Sequence, residues 1–219
     1  MGSTKRILQI LRKDFTLEWR QKYSIYGILL YLTCTVFAIK MMEEFPEGSI
    51  WNMLYWIIIM FVTVNAVAKS FLQEPKQRNI YYYTIHSARE VIAAKLIYNI
   101  LLLILLSVLA FVLFILMLGF PVVKIKLFAL MIVTGAFSFA VLFTMLSAIA
   151  GKAGGNAALI AILGFPLVIP QLIVLSDLSK PLIDTMQVTG WWKFYFILIT
   201  LDILIIFLSY ILFPYLWRE

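Results

Sequence analysis

Six stretches of almost unbroken apolar residues, separated by short polar segments, dominate the pattern of this chain. They lie near residues 23–41, 51–68, 91–118, 127–150, 157–175 and 194–217. Each approaches or exceeds the roughly 20 residues a helix needs to cross a bilayer's hydrocarbon. Water is absent there, so the backbone must bond to itself, which predicts helices throughout. Residues 1–22 follow another rhythm. Ile7, Leu8, Leu11, Phe15 and Trp19 recur at helical spacing, with Lys5, Gln9, Arg12, Thr16 and Arg20 on the opposite side. That pattern predicts an amphipathic helix lying at the membrane surface. The expected fold is therefore an all-α integral membrane protein. An interfacial helix at 1–22 precedes a six-helix transmembrane domain over 23–219.

Particular residues refine this outline. The stretch Gly151 to Leu175 opens on a glycine-rich turn and carries Pro166 and Pro170 one helical turn apart. Each proline removes a backbone donor and crowds the preceding turn, which predicts a kinked or loosened helix. The carbonyls so freed cost several kcal/mol in lipid, so the segment is expected to face protein or a hydrated cavity. Both a packing role and a moving, substrate-facing role fit it. Ala136, Ala140, Thr144 and Ala148 repeat every fourth residue and predict a close-packing face. Ser87 followed by Glu90 reads as a capping box that starts a helix ahead of the third span. Lys95, further along that helix, is expected to snorkel to the membrane surface. Asp202 is the acidic residue well inside a span. Such groups turn toward a bundle interior or water, with Asn65, Asn99 and Gln171 as candidate partners; structural pairing and a transport role both remain open.

Composition supports the membrane class: 63% of residues are hydrophobic and 13% charged, with a mean hydropathy of +0.99. Cys34 is the single cysteine, so no disulfide forms within the chain. The net charge of +7 would suit nucleic acid, but the basic residues cluster beside spans, where they act as an orientation signal. Of the 18 Lys and Arg, only Lys40, Lys124, Lys126, Lys180 and Lys193 fall on the side away from the N-terminus. This bias predicts that both termini are cytoplasmic.

Catalytic chemistry is missing from the pattern. Gly151-Lys152 fails as a phosphate-binding loop, because Leu146 and Ala153 stand where glycine and Ser or Thr are needed. One His and one Cys in different regions do not make a zinc site, and no catalytic triad or H-E-x-x-H motif is present. His86 fits a surface side chain better than a haem ligand. No cofactor is assigned to the chain from its residues.

Six helices without an energy source, plus a long polar loop from Lys69 to Glu90, suit the membrane half of an ABC exporter whose ATPase is a separate polypeptide. In that loop Phe71 and Leu72 can anchor a short helix in a groove of the ATPase, and Glu74 can pair with a basic residue there. The run Phe71 to Glu74, the later Ala94-Lys95-Leu96, and Leu163-Gly164-Phe165-Pro166-Leu167-Val168-Ile169-Pro170 together resemble the cytochrome c maturation family CcmB. Length and span count agree with this family over the whole chain. Arg78, in the same loop, departs from it, standing where the family tends to carry glycine. The resemblance implies an ABC-2-exporter-like permease subunit of a haem-handling complex in the bacterial inner membrane. It implies haem as the handled ligand and ATP used only through a partner. The implied partners are an ATP-binding subunit, a second copy of the chain and a haem-handling membrane protein, in a lipid setting without nucleic acid. Another ABC exporter permease, for a lipid-linked sugar or a drug, and a non-catalytic scaffold are the alternatives.

Overall fold

A computed structural model describes residues 3–20, 22–67, 87–152, 157–183 and 191–218. Within them the chain is helical, in the order α1 (Ser3–Arg20), α2 (Lys22–Met42), α3 (Gly48–Val67), α4 (Ala88–Leu118), α5 (Ile125–Lys152), α6 (Ala157–Ile183) and α7 (Trp191–Arg218). Helices α2 to α7 are each long and apolar enough to cross a membrane. The long helices are apolar on nearly all sides, because lipid replaces water around the bundle.

α5 is the central helix: 67% of its spanning stretch is buried, against 17% in α2 and 22% in α7. It packs against α3, α4, α6 and α7. The small-residue row explains the closeness, since Ala136, Ala140, Thr144 and Ala148 are all buried and leave room for neighbouring backbones. Gly135, beside this row, sits against the Trp56 ring; a Cβ there would collide with that ring.

At the end of the bundle away from α1, an aromatic cluster joins α3, α4 and α5. Trp51 stacks on Tyr55 at 5.8 Å, and Phe114 meets both rings edge-on. Phe111 and Phe128 complete the cluster, stacked at 5.3 Å. These offset and edge-to-face arrangements match the quadrupoles of the rings and favour one arrangement over fluid apolar packing. α4 ends at Gly119, whose φ of 86° suits a residue without a Cβ.

α6 continues to Ile183, eight residues beyond the expected end of the fifth span. Ser176, Asp177, Lys180 and Pro181 are thus helical rather than part of a loop. Long-range hydrogen bonds explain the extension. Asn52 Nδ2 donates to the Ser176 carbonyl at 2.9 Å, and Trp56 Nε1 donates to Ser179 Oγ at 3.0 Å. The backbone N–H groups of Val123 and Lys124 both donate to the Leu182 carbonyl, and Trp191 Nε1 donates to that of Leu178. A polar helix end with this many partners is satisfied where it lies.

Candidate functional site

The clearest construction outside the apolar core is a joint between α1 and the start of α4. Its core is Ile10, buried against Val91, Ile92, Ala94 and Ala148. Two ion pairs flank this contact. Arg6 Nη1 lies 3.8 Å from Glu90 Oε2, and Lys95 Nζ lies 3.3 Å from Asp14 Oδ2. Lys13 also reaches Asp14, at 3.0 Å.

Glu90 serves two purposes here. The Glu90 N–H donates to Ser87 Oγ at 3.3 Å, and the Ser87 N–H donates back to Glu90 Oε2 at 3.1 Å. This is the expected capping box. The same carboxylate holds Arg6, so the helix start and the docked helix share one group.

Lys95 does not snorkel to the surface as expected. It is buried at 5% exposure against Asp14, because α1 covers that side of α4 and brings a carboxylate with it. The buried face of α1 accordingly centres on Ile10 and Asp14, with Ile7 and Leu11 half-buried beside them. Leu8 and Phe15 remain exposed. On the same side of the bundle the Arg89 guanidinium lies 4.7 Å from the Tyr210 ring centre, adding a cation–π contact between α4 and α7.

A second polar site lies among α5, α6 and α7. Ser138 Oγ donates to Asp202 Oδ1 at 2.6 Å, and Gln171 Nε2 approaches the same oxygen at 3.4 Å. All three residues are buried. Of the partners named from the sequence, Gln171 is correct. Asn99 instead donates to Thr144 Oγ1 at 2.9 Å, and Asn65 donates to the Phe61 carbonyl within its own helix. Ser138 was missed: serine is common in membrane helices, and no local signal marks one as a partner.

The proline segment presents one side to the bundle and one side away from it. α6 runs as one helix through Pro166, Pro170 and Pro181. Its buried seam passes through Gly164, Val168, Gln171 and Leu175, and Pro166 and Pro170 lie exposed on the other side. Gly164 lets α6 come close to α5, since a Cβ there would stand 3.1 Å from Leu146. Both prolines therefore face away from the interior of this chain.

Phe71, Leu72, Glu74, Arg78 and His86 lie outside the described residues. Among the described residues, no three of His, Cys, Asp or Glu converge where a metal ion could be held. Asp14, Asn52, Trp56 and Ser179 form contacts that sequence reasoning did not single out. Asp14 offered the one available hint, an acid within a basic helix.

The sequence matches the family model described as CcmB protein over residues 5–214. Comparison with curated proteins and with solved structures gave no match. A match over nearly the full chain, together with six apolar helices of spanning length, places the protein in the CcmB family, as a membrane transport component of cytochrome c maturation.

Proposed function

We propose that the chain is the permease subunit of an ABC exporter in the bacterial inner membrane, with both termini in the cytoplasm. In this reading two copies assemble with a separate ATP-binding subunit and a haem-handling membrane protein, and haem destined for c-type cytochromes is the cargo. The observation that carries the reading is the joint of α1 with α4. ATP-driven motion in a cytosolic partner must enter the membrane through a stiff element. The segment 68–86 joins α3 to α4, and the capping box at Ser87 and Glu90 begins where that segment ends. Glu90 also holds Arg6, and Lys95 holds Asp14. A push on the loop would therefore move α1 and α4 as one body rather than fray the helix end.

Phe71 and Leu72 supply an apolar anchor for a groove on the ATPase, and Glu74 supplies a charge for a basic partner. Haem as cargo rests on the family alone. The test is co-purification of the ATPase with the variant Phe71→Ala combined with Glu74→Lys. Truncating an anchor and reversing a charge should leave the protein inserted but cut ATPase recovery severalfold. Full recovery would move the contact elsewhere, most directly to the exposed side of α1.

A further inference from the structure

Arg89 stands apart from the other basic groups around the joint of α1 and α4. Arg6 is held by Glu90, and Lys13 and Lys95 are held by Asp14. Arg89 is exposed, and its guanidinium lies 4.7 Å from the centre of the Tyr210 ring. Among the described residues no carboxylate pairs with it. Glu90, its neighbour in sequence, is already bound to Arg6 and to the Ser87 N–H. A ring beneath a guanidinium fixes its plane but takes none of its N–H donors. The result is a positioned cation whose charge is uncompensated and whose hydrogen-bonding edge is open.

Its depth is that of a lipid headgroup. Trp191 and Trp192 open α7 at the end of the bundle away from α1, and tryptophans mark the membrane interface. At about 1.5 Å per residue, the rise from Trp191 to Tyr210 is about 29 Å, close to the roughly 30 Å of a bilayer's hydrocarbon. Tyr210 therefore sits at the opposite interface, with Arg89 over it. Toward the bilayer centre, Phe207 and Ile203 lie one and two helical turns from Tyr210 and share its side of α7. All three are exposed. On α4, which packs against α7, Ile97 and Leu101 add further exposed apolar surface. A group suited to phosphate thus stands at the head of an apolar track.

We propose that Arg89, Tyr210 and this track bind one anionic phospholipid of the leaflet on the α1 side. The guanidinium donates two parallel hydrogen bonds to the lipid phosphate, the geometry that arginine offers such oxygens. One acyl chain lies along Tyr210, Phe207 and Ile203. Net charge selects the headgroup. A zwitterionic lipid brings its own cation and leaves Arg89 uncompensated, whereas an anionic lipid neutralises it. Basic groups between spanning helices at this depth favour anionic headgroups for the same reason. The lipid touches both α4 and α7, whose spanning stretches are only 28% and 22% buried, and so it holds them together where few side chains do. This site is independent of the cargo and of the ATPase.

The test titrates the purified full chain in detergent with phosphatidylglycerol, or with phosphatidylcholine of the same acyl chains, and counts bound lipid by native mass spectrometry. Phosphatidylglycerol should bind about fivefold more tightly, as expected for one basic group beside an anionic headgroup. It should also raise the thermal midpoint of the chain where phosphatidylcholine does not. Arg89→Gln should abolish the preference and Tyr210→Leu should reduce it. Arg12→Gln, on the exposed side of α1, should leave it unchanged. Inorganic phosphate in excess should not displace the lipid, because it lacks the chain that the track holds. Equal binding of the two lipids by the parent would overturn the site before any variant is made. A preference that survives Arg89→Gln, or that falls as far in Arg12→Gln, would reflect diffuse surface charge and overturn it too. Displacement by inorganic phosphate would leave a bare anion site in place of a lipid site. Cross-linking from a photoreactive side chain at Phe207 to another polypeptide in the intact complex, with no lipid retained, would put a protein partner there instead.

Discussion

Asp202 illustrates how much one residue's role depends on its neighbours. Its carboxyl group accepts from Ser138 at 2.6 Å and Gln171 at 3.4 Å, so it ties α7 to both α5 and α6. Within membranes such side-chain hydrogen bonds contribute about 0.6 kcal/mol on average, while a buried donor left unsatisfied costs about 1–3 kcal/mol. Orphaning Ser138 and Gln171 therefore matters more than deleting a bond. Asp202→Asn keeps an acceptor for Ser138 and should unfold within about a degree or two of the parent. Asp202→Leu removes the acceptor altogether and should lower the thermal midpoint by several degrees, measured on purified protein in detergent. Normal stability of Asp202→Asn with loss of cytochrome c maturation would show instead that the charge itself is used. Asn99 makes a comparable link between helices, because its amide donates to Thr144 Oγ1 on α5.

At the scale of the element, α1 shows a helix whose apolar side predicts only part of how it docks. The expected face ran through Ile7, Leu8, Leu11, Phe15 and Trp19; Ile7 and Leu11 join the observed contact around Ile10 and Asp14, while Leu8 and Phe15 stay exposed. The ion pair with Lys95 draws the helix round, because a buried ammonium without its carboxylate is more costly than two exposed apolar side chains. Breaking such a pair from one side costs about 3–5 kcal/mol, whereas replacing both partners with apolar groups is often neutral. Asp14→Leu and Lys95→Leu should each loosen α1, seen as faster proteolysis of the N-terminal segment and a lower thermal midpoint. The double variant should recover much of the loss. Equal or greater loss in the double variant would mean that the pair does not position α1. α6 makes the complementary point: three prolines sit within one helix, and packing on the seam side holds it together against their local preference.

For the whole molecule, the orientation follows from charge and can be tested directly. With 13 of the 18 Lys and Arg on the side of the N-terminus, that side should be cytoplasmic. Cysteines introduced at Glu44 and Asp184 in the Cys34→Ser background should react with an impermeant thiol reagent in intact cells, and one at Lys76 should not. Reaction at Lys76 alone would reverse the orientation. The same arrangement would set the joint of α1 and α4 on the side where ATP is available and the aromatic cluster around Trp51 on the other.

Spans and their number were legible in the sequence because lipid imposes a local requirement. Every backbone group must bond within its own segment, so an apolar run of sufficient length is enough to specify a helix. The capping box at Ser87 and Glu90 was equally legible, since both partners lie within one turn. The family was readable for a related reason, because the proline motif is a local string. Which side of each helix packs was not local. Apolar residues surround α3 to α7, so no periodicity separates the seam of α6 from its outward proline ridge. The length of α6, the burial of Lys95 and the partner of Asp202 depend on Asn52, Asp14 and Ser138, residues tens of positions away. Only the tertiary structure brings those groups within bonding distance, and in an apolar solvent it is their few polar contacts that decide which faces meet.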